Sequence, residues 1–175
     1  MSTGLLILRL VVGLLLAAHG AQKLFGWYGG YGIAGTGGWL HSIGFRPGKA
    51  MAVVVGLAEI AGGLGLALGL LTPLAAAVVI GTMTVAAWSH RASGLWGTSG
   101  GYEQALTYGV VAVAIAFTGA GEYSLDNALG LTWGNGYAVA AVVLGLVAAA
   151  VAIVSATIAL RSDPAATPDA VTVDA

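Results

Sequence analysis

Cysteine is absent from the 175 residues, and charge is nearly so: six Lys and Arg and seven Asp and Glu make up 7% of the chain. Without thiols there is no dithiol chemistry, no thiolate metal site, no iron–sulfur cluster and no haem attached through cysteine. The absence of cysteine fits any redox compartment. A net charge of −1 with no basic run lacks the electrostatic footprint of a nucleic-acid binder. Proline is scarce, at four residues, so long helices meet few interruptions. A soluble domain is about 25% charged and about 45–50% apolar. This chain is 58% hydrophobic with a mean hydropathy of +0.93, the composition of an integral membrane protein whose first partner is the lipid bilayer.

What is present is apolar sequence and glycine. Five apolar segments cover residues 4–25, 50–71, 73–90, 103–119 and 137–160. A bilayer span needs about 20 residues, with a range of about 17–25, so the third and fourth are at the short end. The expected fold is therefore all-α, a membrane helix bundle of four core helices and a fifth, C-terminal one. Thr72-Pro73 separates the second and third segments so tightly that they must form an antiparallel hairpin. The first segment does not read as a cleaved signal peptide, because no Lys or Arg precedes its apolar run and Arg9 falls inside it. Many of the 29 glycines lie within the apolar runs, where small residues let membrane helices approach closely. Gly65 and Gly69 form a GxxxG that we assign to internal packing rather than to dimerisation. Residues 26–49 read as a loop rich in Gly and aromatics, with Trp27, Tyr28, Tyr31, Trp39 and Phe45 as a membrane-interface belt and His41 among them. Residues 162–175 read as a disordered acidic tail.

Seven ionisable side chains break the apolar runs or border them: Arg9, His19, Lys23, Glu59, His90, Arg91 and Glu103. A charge at the bilayer centre costs about 2.5–3.5 kcal/mol on insertion scales, so intramembrane ionisable groups mark function by default. On a helical wheel Arg9, Gly13, Leu16, Gly20 and Lys23 share one stripe of the first helix, and His19 lies one turn before Lys23. Counting helical rise, His19 and Glu59 reach similar depths, about 9 and 14 Å from the Lys23 end. Lys23, His90 and Glu103 lie nearer that surface, so the set reads as a polar funnel. Arg9, beyond Glu59, is expected to reach outward to Asp126 or Glu122. Glu59 has two readings: half of an intramembrane pair with Arg9 or Lys23 that fixes register, or a proton-handling or ligand-binding carboxylate. A metal site is not expected, because His19, His90, Glu59 and Glu103 are dispersed over four helices with no HxxxH or ExxH spacing. Arg46, Lys49, Arg91 and Arg161 fall on one side of the membrane and Glu122 and Asp126 on the other, which puts the N-terminus outside and the C-terminus in the cytoplasm.

Several of these elements, in this order, resemble the DoxX family of small bacterial membrane proteins. They are the run 5–25 with Arg9 and His19-Gly20-Ala21-Gln22-Lys23, then Glu59-Ile60-Ala61-Gly62-Gly63, Gly69-Leu70-Leu71-Thr72-Pro73, His90, Glu103 and residues 121–126. The resemblance implies a four-helix membrane domain over 1–130, with 131–161 as an additional transmembrane helix, in the bacterial plasma membrane. It further implies the membrane subunit of an oxidoreductase assembly, with quinone as ligand and soluble redox enzymes, a superoxide dismutase and a sulfurtransferase, as partners. On that reading Glu59 and His19 carry the proton chemistry, while Lys23, His90, Glu103 and Arg9 hold the ligand. A non-catalytic scaffold that recruits soluble redox enzymes, and a small proton-coupled transporter built as a homo-oligomer, are the alternatives.

Overall fold

The computed structural model describes residues 2–162. The expected tail, Ser162 apart, lies outside the described residues. The described chain is all-α: α1 (Ser2–Phe25), α2 (Gly32–Ser42), α3 (Gly48–Leu68), α4 (Thr72–Ser89), α5 (Glu103–Thr118), a single turn α6 (Leu125–Ala128) and α7 (Asn135–Arg161). Glycines in the left-handed region stop the helices where the apolar runs end. Gly26 (φ 72°) follows α1, Gly69 (φ 61°) caps α3, and Gly119 (φ 76°) follows α5. Pro73 falls in the first turn of α4, where its missing N–H does no harm.

Four helices, α1, α3, α4 and α7, are long and apolar enough to cross a membrane. The fifth apolar helix, α5, has 16 residues, about 24 Å by helical rise. It still runs the length of the polar interior, because Gln104 at its start meets His19 and Ala120 just past its end meets Arg9. The helices are apolar outside as well as inside. Leu14, Val54, Val110, Val147 and Val151 all point outward with about half their surface exposed, the pattern of a bundle whose solvent is lipid.

α4 is central, with α3, α5 and α7 against it, and α1 packs on α3. α7 is thus no loose appendage; it lies along α4 in the same direction, with Gly81 and Gly145 at the crossing. The tightest contact is between antiparallel α1 and α3. Gly13 faces Gly63 and Gly20 faces Gly56, a spacing of seven residues on both helices. A Cβ on Gly20 would stand 2.5 Å from the Gly56 carbonyl oxygen, and one on Gly63 the same distance from that of Gly13, so the backbones themselves touch. The GxxxG glycines serve elsewhere: Gly65 backs onto Ala75 of α4, and Gly69 is the α3 cap.

One expected loop is a helix. Residues 26–49 fold as a short turn (Trp27–Gly29) followed by α2, despite the four glycines within Gly32–Ser42. Those glycines lower helix propensity but allow close packing: a Cβ on Gly37 would be 2.8 Å from the Lys49 Cα at the start of α3. Tertiary contact outweighs propensity here.

Gly63→Ala should lower stability in detergent by about 1–3 kcal/mol, the cost of overpacking a filled contact. Gly109→Ala, whose Cβ meets only Met83 at an ordinary 3.5 Å, should be neutral or mildly stabilising. Thermal unfolding of the two variants checks the contact; equal melting points would refute it.

Candidate functional site

The α1–α3 contact carries two ionisable clusters, one at each end. At the first end lies Arg9, 1% exposed. It does not reach out to a carboxylate. Its guanidinium donates to the Ala120 carbonyl and, at 2.7 Å, to that of Tyr123, with Ala67 at 3.5 Å. These oxygens belong to the C-terminal turn of α3 and to the chain just past α5, where helix carbonyls lack partners and the dipole favours a cation. Gly119 and Gly121, both at positive φ, turn the segment 119–124 so that its carbonyls face inward. Neither expected partner is hydrogen-bonded to Arg9, although the Asp126 carboxylate is close enough to act on its charge: Glu122 accepts from Ser2 Oγ at 2.8 Å, and Asp126 caps α4. Asp126 accepts from the Leu71 and Thr72 backbone N–H groups (2.7 and 3.0 Å), the Thr72 hydroxyl (2.6 Å) and the Trp133 indole (2.9 Å). Burial alone would push this carboxyl up, but the hydrogen bonds from Thr72, Trp133 and Leu71 outweigh it and hold it below the usual aspartate range.

The other end holds the expected funnel. Lys23 Nζ donates to Glu59 Oε2 at 2.7 Å, the only ion pair among the described residues. Glu59 is 2% exposed and Lys23 is 26% exposed, so the pair joins the helix interior to an opening. Geometry explains the choice of Lys23 over Arg9. The Gly20–Gly56 contact brings the two backbones together one turn from each residue of the pair, whereas Arg9 lies opposite Ala67, eight residues and about 12 Å beyond Glu59 along α3.

The opening is a cavity of about 320 Å³ between α1, α3, α4, α5 and the chain 97–102, lined by His19, Lys23, Glu59, His90, Gln104 and Tyr108 among others. A wider cleft of about 580 Å³ adjoins it, lined by Gln22, Tyr31, Thr36 and Trp39 and sharing Lys23 and His90. His90 stacks on Trp39 (5.3 Å between centroids) and its Nδ1 is 3.1 Å from the Gly100 carbonyl. It therefore ties α2, α4 and the 90–102 segment together at the border of the two spaces. Glu103 is brought near but turned aside: its carboxylate accepts from the Gly97 N–H at 2.8 Å and braces the loop.

Three residues not singled out from the sequence complete the site. His19 Nδ1 is 2.8 Å from Gln22 Oε1, and its Nε2 is 2.8 Å from the Gln104 amide nitrogen, which also reaches the Tyr108 hydroxyl at 3.3 Å. A neutral ring with its proton on Nδ1 satisfies both contacts, with Gln104 donating to Nε2. Their sequence signal is faint: Gln22 sits three after His19, and Gln104 and Tyr108 sit four apart on an otherwise apolar helix. Among the described residues, no three His, Asp or Glu side chains gather as a metal site would require.

The arrangement defines a class of protein: a multi-pass membrane helix bundle with an interior polar cavity. The DoxX family profile matches residues 4–92, from α1 through α4. An uncharacterized protein of Haemophilus influenzae is 32% identical over 127 residues, spanning 70% of this chain and 88% of its own. No solved structure matches. The chain belongs to the DoxX family. Arg9, His19, Lys23, Glu59 and His90 lie inside the matched range, while Glu103, Gln104 and Tyr108 lie past it.

The Asp126 cap predicts a pH dependence. Because its folded-state proton affinity is lowered, its contribution is complete above the unfolded aspartate value near 3.9 and is lost as pH falls through the lower folded value. Asp126→Ala should cost about 2–3 kcal/mol at pH 7, the scale of lost hydrogen bonds to a charged group. The difference from wild type should shrink on acidification below about pH 4. Melting curves of the two proteins from pH 7 to 3 check this; a pH-independent difference contradicts it.

Proposed function

We propose that this chain is the membrane subunit of an oxidoreductase assembly and that the cavity at Glu59 takes the carbonyl head of a quinone. The observation that carries the reading is the Lys23–Glu59 pair: a carboxylate buried at membrane depth, bound through one oxygen to an ammonium that also lines an open cleft. The cavity volume falls at the lower end of the range for small-molecule sites, about 300–1,000 Å³. Its donors suit carbonyl oxygens, with the Lys23 ammonium and the Tyr108 hydroxyl, which accepts from Gln104 and keeps its own proton to donate, on neighbouring walls.

A quinone, when bound, accepts two electrons and two protons. The electrons come from a soluble redox partner of the assembly; the chain's own residues supply position and protons. Lys23 orients one carbonyl and is the partner of the Glu59 carboxyl between transfers. Glu59 takes up a proton through the cleft bordered by His90 and Trp39, passes it inward, and returns to the carboxylate that Lys23 binds. His19, held by Gln22 and Gln104, fixes the Gln104 amide, which in turn positions the Tyr108 hydroxyl at the cavity. Lys and Arg set the orientation: Arg46, Lys49, Arg91 and Arg161 share the Lys23 end, which faces the cytoplasm, with the N-terminus outside.

Glu59→Gln tests this. Protein purified in mild detergent should carry near-stoichiometric quinone by mass spectrometry of its solvent extract. The variant should retain at least about tenfold less, since one charge-assisted hydrogen bond is worth about 1.5–3 kcal/mol. Equal substoichiometric levels in both proteins, each still folded at the temperature of purification, would overturn the quinone site and leave a scaffold for soluble enzymes as the reading.

A further inference from the structure

Away from the polar cavity, the seam between α4 and α7 opens an apolar groove to the lipid side. Two hollows of about 300 and 270 Å³ adjoin along it and share Ala77, the larger walled on its third side by Met51, Val54 and Val55 of α3. On α4 the groove passes Leu74, Ala77 and Val85; on α7 it passes Ala141, Ala148 and Ala152. The helices run in the same direction and touch at their glycines, a Cβ on Gly145 standing 2.7 Å from the Ala77 carbonyl oxygen. Small side chains on both sides of this contact leave a trough. From Ala141 to Ala152 it runs about 16 Å by helical rise, half the hydrocarbon thickness of a bilayer.

The groove is unlike at its two ends. At the Lys23 end it closes on Phe45, against which the Trp88 ring stands edge-on at 5.9 Å. The exposed Arg91 guanidinium lies 3.9 Å over the Trp88 ring and donates from one nitrogen to the Trp88 carbonyl at 2.7 Å. The rest of that fork is free to take a second acceptor. α7 ends at Arg161 in the same layer, because Gly44, next to Phe45, packs against Ala156 and Leu160. The Arg91 guanidinium therefore stands over an aromatic rim at one end of an apolar trough, and the end of α7 brings Arg161 into the same layer. A phosphate is the group a guanidinium fork matches best.

We infer that this groove seats one anionic phospholipid, with an acyl chain along the α4–α7 seam and its phosphate between Arg91 and Arg161. The site is separate from the Glu59 cavity and does not depend on the quinone reading. An anionic headgroup is required by charge complementarity, since a choline headgroup would bring its own cation to the two arginines.

The test is native mass spectrometry of the full chain with added phosphatidylglycerol or phosphatidylcholine of identical acyl chains. Wild type should retain one phosphatidylglycerol in marked preference to phosphatidylcholine. Arg91→Gln and Arg161→Gln should each reduce that preference about fivefold, the effect of one arginine near a lipid surface. Ala148→Phe, at an exposed position lining the hollow, should fill the trough and lower retention of both lipids while the arginine preference for any residual lipid persists. Equal retention of the two lipids by wild type, undiminished preference in the Arg91→Gln/Arg161→Gln protein, full occupancy in a folded Ala148→Phe protein, or a wild-type dimer that excludes lipid would each overturn the inference.

Discussion

Backbone contact between α1 and α3 sets the places of Arg9, Lys23 and Glu59 within the bundle. Gly13 against Gly63 and Gly20 against Gly56 leave no room for a side chain between the helices, so their register is fixed by shape. Arg9 and Lys23 lie on the same face of α1, fourteen residues and about 21 Å apart. In this register Arg9 meets the carbonyls at the end of α3 and Lys23 meets Glu59. A slide of one turn, about 5.4 Å, would part both clusters together. Shape and charge therefore specify the same alignment, and in lipid the charges enforce it, since an unpaired ion there has no water to turn to.

The two clusters solve the same problem differently. Arg9 is enclosed, its charge spread over backbone carbonyls, and the segment it gathers carries Asp126 to the start of α4. That end is a structural knot in which α1, α3, α4 and the chain after α5 are tied by polar groups. The Lys23 end is open: the same kind of cation faces a carboxylate on one side and a cleft on the other. A closed cluster holds helices; an open one can also exchange protons or accept a ligand. This difference, more than the presence of charge, separates the supporting residues from the candidate site.

Much of this was legible in the sequence. The five apolar runs located the main helices, and the Arg9–Gly13–Leu16–Gly20–Lys23 stripe identified the buried face of α1. Depth by helical rise brought His19, Lys23 and Glu59 together as the structure does. What escaped depends on partners distant in the chain. α2 was hidden because its glycines argue against a helix, while the contact of Gly37 with the start of α3 argues for one. The Arg9 clasp was hidden because backbone carbonyls have no residue type. Acidic side chains nearby were the visible candidates, yet Glu122 and Asp126 serve Ser2 and α4. Gln104 and Tyr108 had no reason to stand out until α5 was laid against His19.

The account rests on Lys23 and Glu59 acting as one coupled unit. A double-mutant cycle of Lys23→Met and Glu59→Gln, read by unfolding in detergent, addresses that directly. Each single change should be destabilising, Lys23→Met the more so at about 3–5 kcal/mol because it leaves a buried carboxylate unpaired. The double variant should recover part of the loss, with a coupling energy of about 1–3 kcal/mol. Additivity of the two changes to within about 0.5 kcal/mol would contradict the account, because it would mean the two groups do not meet in the folded protein.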